Sequence, residues 1–235
     1  RSTPLYSSAA SDVYKRQVLC KNREGKIEVW GALGSRSSAI FDLDEDGGGS
    51  DGTITYTGLE PISSSLTAAN VILTYGAASE TITVSDAAAA GQTNVNSSSG
   101  ETTDFNNPSA SLTINGGAGN DTIDLNGVDA AFPATVALTI SGDGGTDEVN
   151  VNTVRTLADF DISSYVTTFT TGGDVVSGGT PVLSATSGIQ FNGGSISVSG
   201  GTVDLNVTNG SISGTSGGEI DITAGTIDLS VSGTG

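Results

Sequence analysis

The side chains best able to do chemistry in this sequence are carboxylates. Asp42-Leu43-Asp44-Glu45-Asp46-Gly47 places three aspartates at alternate positions ahead of a glycine. A calcium ion takes roughly six to eight oxygen ligands, and side chains spaced this way converge on one where glycine permits a sharp turn. The helix–loop–helix form of such a loop wants Glu at its twelfth position. Counted from Asp42 that position is Thr53, so the form fails, although Asp51 stands nearby to substitute in a non-helical loop. The competing reading is an acidic, solvated turn leading into a strand at Thr53-Ile54-Thr55-Tyr56. Asp42, Asp44 and Asp46 are the first candidate metal ligands. Other chemistry is excluded by composition. The chain has no His and one Cys, which removes a His base or triad, an internal disulfide and a thiolate zinc site. No pair of carboxylates stands out from the acidic background for glycoside hydrolysis. Arg155, the only cation after residue 38, is a poor complement for a lyase acting on acidic polysaccharide. The chain therefore reads as non-enzymatic.

A second group of carboxylates sits in glycine-rich segments. Gly116-Gly117-Ala118-Gly119-Asn120-Asp121-Thr122-Ile123-Asp124 matches the nonapeptide G-G-x-G-x-D-x-U-x at every specified position. Gly142-Asp143-Gly144-Gly145-Thr146-Asp147-Glu148-Val149-Asn150 matches it with Asp143 in place of the second glycine. These segments resemble the hemolysin-type (RTX-like) calcium-binding repeats of large secreted bacterial proteins. The resemblance implies that the glycine half turns, that Asp121 and Asp147 take Ca²⁺ with Asp143 assisting, and that the aliphatic residue points inward. It departs from the family in one respect: family nonapeptides run in tandem, whereas these two are separated by an offset of 26. They share a site only if the coil length equals that offset. The competing reading is a corner that needs only glycine and a solvated aspartate.

The elements that would position these residues repeat. Gly193 to Val207 returns as Gly217 to Val231, an offset of 24. Each copy holds two runs of alternating apolar and polar residues separated by glycine, which is the period of a strand. Asn209-Gly210, a tight-turn dipeptide, precedes a third short run at Ser211-Ile212-Ser213. Upstream, Leu112-Thr113-Ile114 and Ile123-Asp124-Leu125 begin eleven positions apart. The spacing recurs at Leu138-Thr139-Ile140 and Val149-Asn150-Val151, an offset of 26. It is also present earlier, at Val71-Ile72-Leu73 and Ile82-Thr83-Val84, an offset of 41. Residues 87–108 read as a surface loop that supplies the extra length. One coil offers few inward aliphatics, here Ile196, Val198, Val203, Leu205 and Val207. Burying each gains about 1.5–3 kcal/mol, whereas ordering costs about 1–2 kcal/mol per residue for the backbone alone. A coil cannot stand singly, and stacked coils sharing one core can. The expected fold is all-β: a parallel β-solenoid with coils of about 24–26 residues. The alternative is β-sandwich domains followed by a short solenoid.

Boundaries follow composition. Residues 1–17 resemble a translated sequencing-library adapter, since Ser7 to Gln17 back-translates to a transposase adapter, and are set aside as non-native. With no Met anywhere, the chain is expected to be an open-ended fragment read from shotgun or environmental DNA. Residues 18–38 hold the only Cys and the only Trp and mark either a leader domain or a chimeric join. Residues 39–190 form the irregular region, solenoid or sandwich, and 191–235 the regular repeat. The net charge of −18 repels nucleic acid and anionic lipid, and no apolar run approaches the roughly 20 residues of a spanning helix. The expectation is a structural or adhesive segment of a large secreted or cell-surface bacterial repeat protein, stiffened by Ca²⁺, with surface glycans or other surface proteins as partners. The alternative is a non-catalytic portion of a secreted polysaccharide-active enzyme, or a carbohydrate-binding module.

Overall fold

Alternation of inward aliphatics with outward Thr, Ser, Asn and Asp gives strands throughout. The computed structural model describes the strands Lys21–Asn22, Ile27–Glu28, Ser38–Leu43 and Gly52–Thr57 and residues 62–100, 102–153, 156–214 and 221–233. Among these residues there is no helix. The chain winds as a parallel β-solenoid. One face stacks Asn70–Thr74, Ser111–Asn115, Ala137–Ser141, the first half of Asp159–Phe169, the first half of Val182–Phe191, Thr202–Val207 and Thr226–Val231. A second face stacks Thr81–Asp86, Thr122–Leu125, Glu148–Val151, the second halves of the same two long strands and Ser211–Gly214. From Thr156–Leu157 onward a third face adds Asp174–Ser177, Ser195–Val198 and Asp221–Thr223.

The register is the one that the spacing sets. Leu112 lies on Val71 and under Leu138, and Ile123 lies on Ile82 and under Val149. The stacked side chains form one continuous aliphatic core, in which Ile82, Leu112, Ile123, Leu138 and Val149 are fully buried. All five inward positions expected in the repeat, Ile196, Val198, Val203, Leu205 and Val207, are buried too. Phe169 and Phe191 extend the spine, their rings stacked at 4.8 Å. Among the described residues between 70 and 231 all pairing outside the segment 87–108 is parallel and coil on coil, so these strands form the solenoid and not the alternative of β-sandwich domains.

Coil length varies while register holds. Leu205 stacks on Leu183 and under Leu229, so two successive coils differ in length by two residues without losing alignment. Within the C-terminal repeat the first strands align differently from the sequence match. Ile222, not residue 220, lies on Ile196. A slip of two residues keeps every side chain on its own face, and the turn before Thr226 is shorter by the same two residues.

The segment 87–108 is not a loop. It carries strands Gln92–Ser97 and Thr103–Asn106, which continue from Thr81–Asp86 as an antiparallel meander, with Ile62–Ser64 added in parallel. Its inward residues are Thr93, Val95, Ser97, Thr103 and Phe105. Most of these are polar, so the alternation carries little hydrophobic contrast. Ahead of the solenoid, Ser38–Leu43 and Gly52–Thr57 pair as an antiparallel hairpin, and Ser38–Leu43 lies against Asn70–Thr74.

Candidate functional site

The two nonapeptides form one corner on successive coils. Thr122 and Glu148 open adjacent strands of the second face, so Asp121 and Asp147 occupy equivalent positions immediately before them. Glu80 fills the same position one coil earlier, immediately before Thr81, which lies on Thr122. Three carboxylates are thus stacked, and all three are buried. Each aspartate ties its own coil to the one beneath. Asp147 Oδ1 accepts the Asp121 amide at 2.9 Å, and Asp121 Oδ1 accepts the Glu80 amide at 2.8 Å. Glu80 in turn accepts from the Ser97 hydroxyl of the meander. A parallel polar row runs beside them: Ser79 Oγ accepts the Asn120 amide and Asn120 Oδ1 accepts the Thr146 amide, both at 2.9 Å.

The glycines of the motif make room for these carboxylates. A Cβ on Gly142 would lie 2.5 Å from Asp147 Oδ2 and 2.6 Å from its Cβ. A Cβ on Gly116 would lie 2.9 Å from Asp121 Oδ2 and 3.2 Å from the Gly142 carbonyl oxygen. The second glycine supplies backbone shape. Gly117 has φ of +95°, and Asp143, its counterpart in the other unit, is the one non-glycine residue at positive φ among those described, at +64°. The substituted position therefore keeps the corner's conformation in a residue type that tolerates it.

One atom of the corner has no partner. Asp121 is 1% exposed and its Oδ2 accepts no hydrogen bond. Burial pushes the Asp121 carboxyl above its ordinary range. The Glu80 amide pulls it back, and the charge of Asp147 adds to the rise. Glu80 is raised as well, by burial and by Asp121, against the lowering effect of the Ser97 hydroxyl. For Asp121 and Glu80, on successive coils, burial thus favours the neutral form.

No protein-family model, curated protein or solved structure matches this chain.

The structure separates the candidate ligands. Asp121 and Asp147 come together, buried rather than solvated. Asp143 lies outside this corner's interior, exposed, with Oδ1 accepting from Ser141 Oγ at 2.5 Å. The backbone of Asp42 is in the hairpin, opposite Thr53, while Asp44 and Asp46 fall outside the described residues. Among the described residues no group of three or more His, Cys, Asp or Glu is arranged to hold a metal ion. The buried side-chain oxygen of the corner that accepts no hydrogen bond is Asp121 Oδ2. A full calcium shell of roughly six to eight oxygens needs backbone carbonyls besides.

Two buried carboxylates have weak sequence signals. Glu80 is found only by carrying the offset between Leu112 and Val71 back from Asp121. Asp129 has no repeat partner at all. It is buried, and its carboxylate accepts the Ala131 amide at 2.8 Å, the Asn107 side-chain amide at 2.8 Å and the Gly91 amide at 3.2 Å. It clamps the meander to the next coil. Burial pushes its carboxyl up, but the bonds from Asn107, Ala131 and Gly91 outweigh this and hold it below the ordinary range.

Proposed function

We propose that this chain is a non-catalytic structural segment of a large secreted or cell-surface bacterial repeat protein, a stiff spacer that presents a polar, acidic outer surface. The observation that carries the proposal is the in-register stack of coils on one aliphatic spine, stitched at the corner by Asp121 and Asp147. The rows of Thr, Ser, Asn and Asp outside that spine are hydrogen-bonded from coil to coil. Asn150 bonds Asp124 at 3.0 Å, Asn152 bonds Asn126 at 2.8 Å, and Ser195 bonds Asp174 at 2.7 Å. Such a surface spends its side chains on holding coils together and suits contact with glycans or other surface proteins.

Calcium belongs to this proposal at the corner. The unpartnered Asp121 Oδ2, set between the acids of two neighbouring coils, supports a cation there, and a bound ion would relieve their mutual repulsion. The test is thermal unfolding followed by circular dichroism, in EDTA and in about 10 mM Ca²⁺, above the roughly 10⁻⁴–10⁻³ M range of extracellular calcium modules. A higher melting temperature in Ca²⁺, lost in Asp121→Asn, supports the ion. An unchanged melting temperature removes the ion and leaves the spacer, whose own test is cooperative unfolding of the whole stack in EDTA.

A further inference from the structure

Four asparagines in the sequence are followed directly by glycine: Asn115, Asn126, Asn192 and Asn209. In such a pair the glycine nitrogen stands near the side-chain carbonyl carbon of the asparagine with no Cβ in the way, so an intramolecular attack has the advantage of proximity. The attack needs a glycine N–H that is not donating elsewhere and a side chain free to turn toward it. The fold restrains three of the pairs. Gly116 is buried and its N–H donates to the Ser141 carbonyl at 2.7 Å, while Asn115 Nδ2 donates to Thr74 Oγ1 at 3.1 Å. Asn126 Oδ1 is held by Asn152 Nδ2 at 2.8 Å. Asn192 is half-buried, its N–H donating to the Phe169 carbonyl at 2.7 Å and its carbonyl accepting from Thr171 Oγ1 at 3.3 Å. Asn209–Gly210 differs. Both residues are exposed, and among the described residues neither the Asn209 side chain nor the Gly210 N–H makes a hydrogen bond. The backbone around them is fixed: Asn209 N–H donates to the Thr186 carbonyl at 2.7 Å, and Gly210 leaves no room for a Cβ against the Ser187 carbonyl oxygen. The exposure belongs to the corner itself. The next coil already lies over it, with Ser232 N–H on the Val207 carbonyl at 2.8 Å, and Thr186, which the coil of Asn209 covers in the same way, is exposed too.

We propose that Asn209–Gly210 is a self-modification site, at which the corner between Thr202–Val207 and Ser211–Gly214 converts its asparagine to aspartate and isoaspartate without an enzyme. Gly210 N gives up its proton to solvent base and bonds to Asn209 Cγ. The Cγ–Nδ2 bond breaks, and Nδ2 leaves with a proton as ammonia. The resulting succinimide takes up one water. Opening at Cγ gives aspartate. Opening at the main-chain carbonyl carbon gives isoaspartate, whose backbone runs through Cγ and is one methylene longer. Nothing is oxidised or reduced. Either product adds a carboxylate to an already acidic chain, and isoaspartate lengthens a corner that is pinned at Thr186 and packed closely on Ser187. The inference uses the coil-on-coil register alone and depends neither on calcium nor on the spacer role.

The test is incubation of the folded full chain in warm, mildly alkaline buffer, followed by mass mapping of acid-quenched peptic peptides and by labelling with an isoaspartyl methyltransferase. Asn209 is expected to convert about tenfold or more faster than Asn115, because Gly116 must first give up a buried hydrogen bond, and ammonia is released in equal amount. In urea the two rates converge, since the restraint is gone and both pairs are Asn–Gly. Asn209→Gln alters a side chain that makes no hydrogen bond, so it abolishes the fast isoaspartate and leaves the circular dichroism spectrum unchanged. Conversion of Asn209 no faster than that of Asn115, Asn126 or Asn192 in the folded chain overturns the proposal. A rate gap of the same size in urea overturns it too, because the selection then lies in the neighbouring residues and not in the fold.

Discussion

Replacing Asp121 with Asn makes the chain more stable in the absence of calcium, although it alters a buried, hydrogen-bonded aspartate. Asp121 Oδ1 accepts the Glu80 amide at 2.8 Å, and an asparagine oxygen in the same place does so as well. The neutral acceptor is weaker: hydrogen bonds to charged groups are worth about 1.5–3 kcal/mol against about 0.5–1.5 for neutral ones, so about 1 kcal/mol is lost there. At the other oxygen the balance reverses. Oδ2 is buried without a partner, which costs about 1–3 kcal/mol and more for a charged group. The amide nitrogen replaces it with a donor on the side where the Gly142 carbonyl faces Gly116. Loss of the repulsion from Asp147 and Glu80 acts in the same direction. The net gain is about 1 kcal/mol, and in a chain of this size that raises the melting temperature by about 2–4 °C. The gain depends on pH with a definite sign. Asp121 is raised in the folded state, so its contribution to stability is fully present below the ordinary carboxylate value, about 4. It is lost as pH rises through the folded value. At low pH the protonated wild-type carboxyl already carries a donor, so the advantage of Asp121→Asn shrinks toward zero. Melting in EDTA at neutral and at acid pH reads both effects. A folded Asp121→Asn that melts at or below wild type at neutral pH would refute the assignment of Oδ2 as an unmet acceptor.

Other perturbations have equally specific outcomes. Gly142→Ala drives a Cβ to within 2.5 Å of Asp147 Oδ2, whereas the nearest atom to a Cβ on Gly144 is 3.7 Å away. In urea titrations the first should cost about 1–3 kcal/mol as overpacking and the second should fall within about 0.5 kcal/mol of wild type. Phe191→Ala removes a fully buried ring stacked on Phe169 and should cost about 3–5 kcal/mol, with equal m-values if the stack unfolds as one unit. Asp129→Ala deletes the clamp on the meander, so amide exchange at Gly91 and Asn107 should speed up by about tenfold or more while the distant coils keep their protection. Because Asp129 is held low, the wild-type clamp persists above the ordinary carboxylate range and is released as pH falls through its depressed folded value. Protection of Gly91 relative to its intrinsic exchange rate should therefore fall on acidification below about pH 4.

How much of this was legible in the sequence depends on whether a position repeats. The pairs Leu112–Leu138 and Ile123–Val149, and Leu112 with Val71 across the longest interval, were readable because one-dimensional stacking turns spatial register into sequence spacing. The meander was not, because Thr93, Ser97 and Thr103 bury polar side chains and lower the hydrophobic contrast on which strand periodicity depends. Asp121 and Asp147 were visible as motif residues, but their burial was not. An aspartate between glycines reads as a solvated turn until the bare Cα of Gly142 is seen lying under the side chain. Glu80 escaped because its neighbours Ala77-Ala78-Ser79 lack the glycines of the later units. Asp129 escaped because its three donors come from residues 91, 107 and 131, a convergence that no local pattern encodes.

The hydrogen bonds between coils run along the solenoid axis, and each coil is tied only to its immediate neighbours. Tension applied along that axis consequently loads one rung at a time at the outermost coil instead of shearing the whole ladder together. Beyond the first coil, each release frees one coil, as short as Ile162 to Leu183 or as long as Leu112 to Leu138. At about 3.3–3.6 Å per residue that is roughly 70–90 Å of new contour length. A stack built this way yields in discrete steps, and the first coil, which runs from Val71 to Leu112 and includes the meander that Asp129 of the next coil holds, gives the largest step.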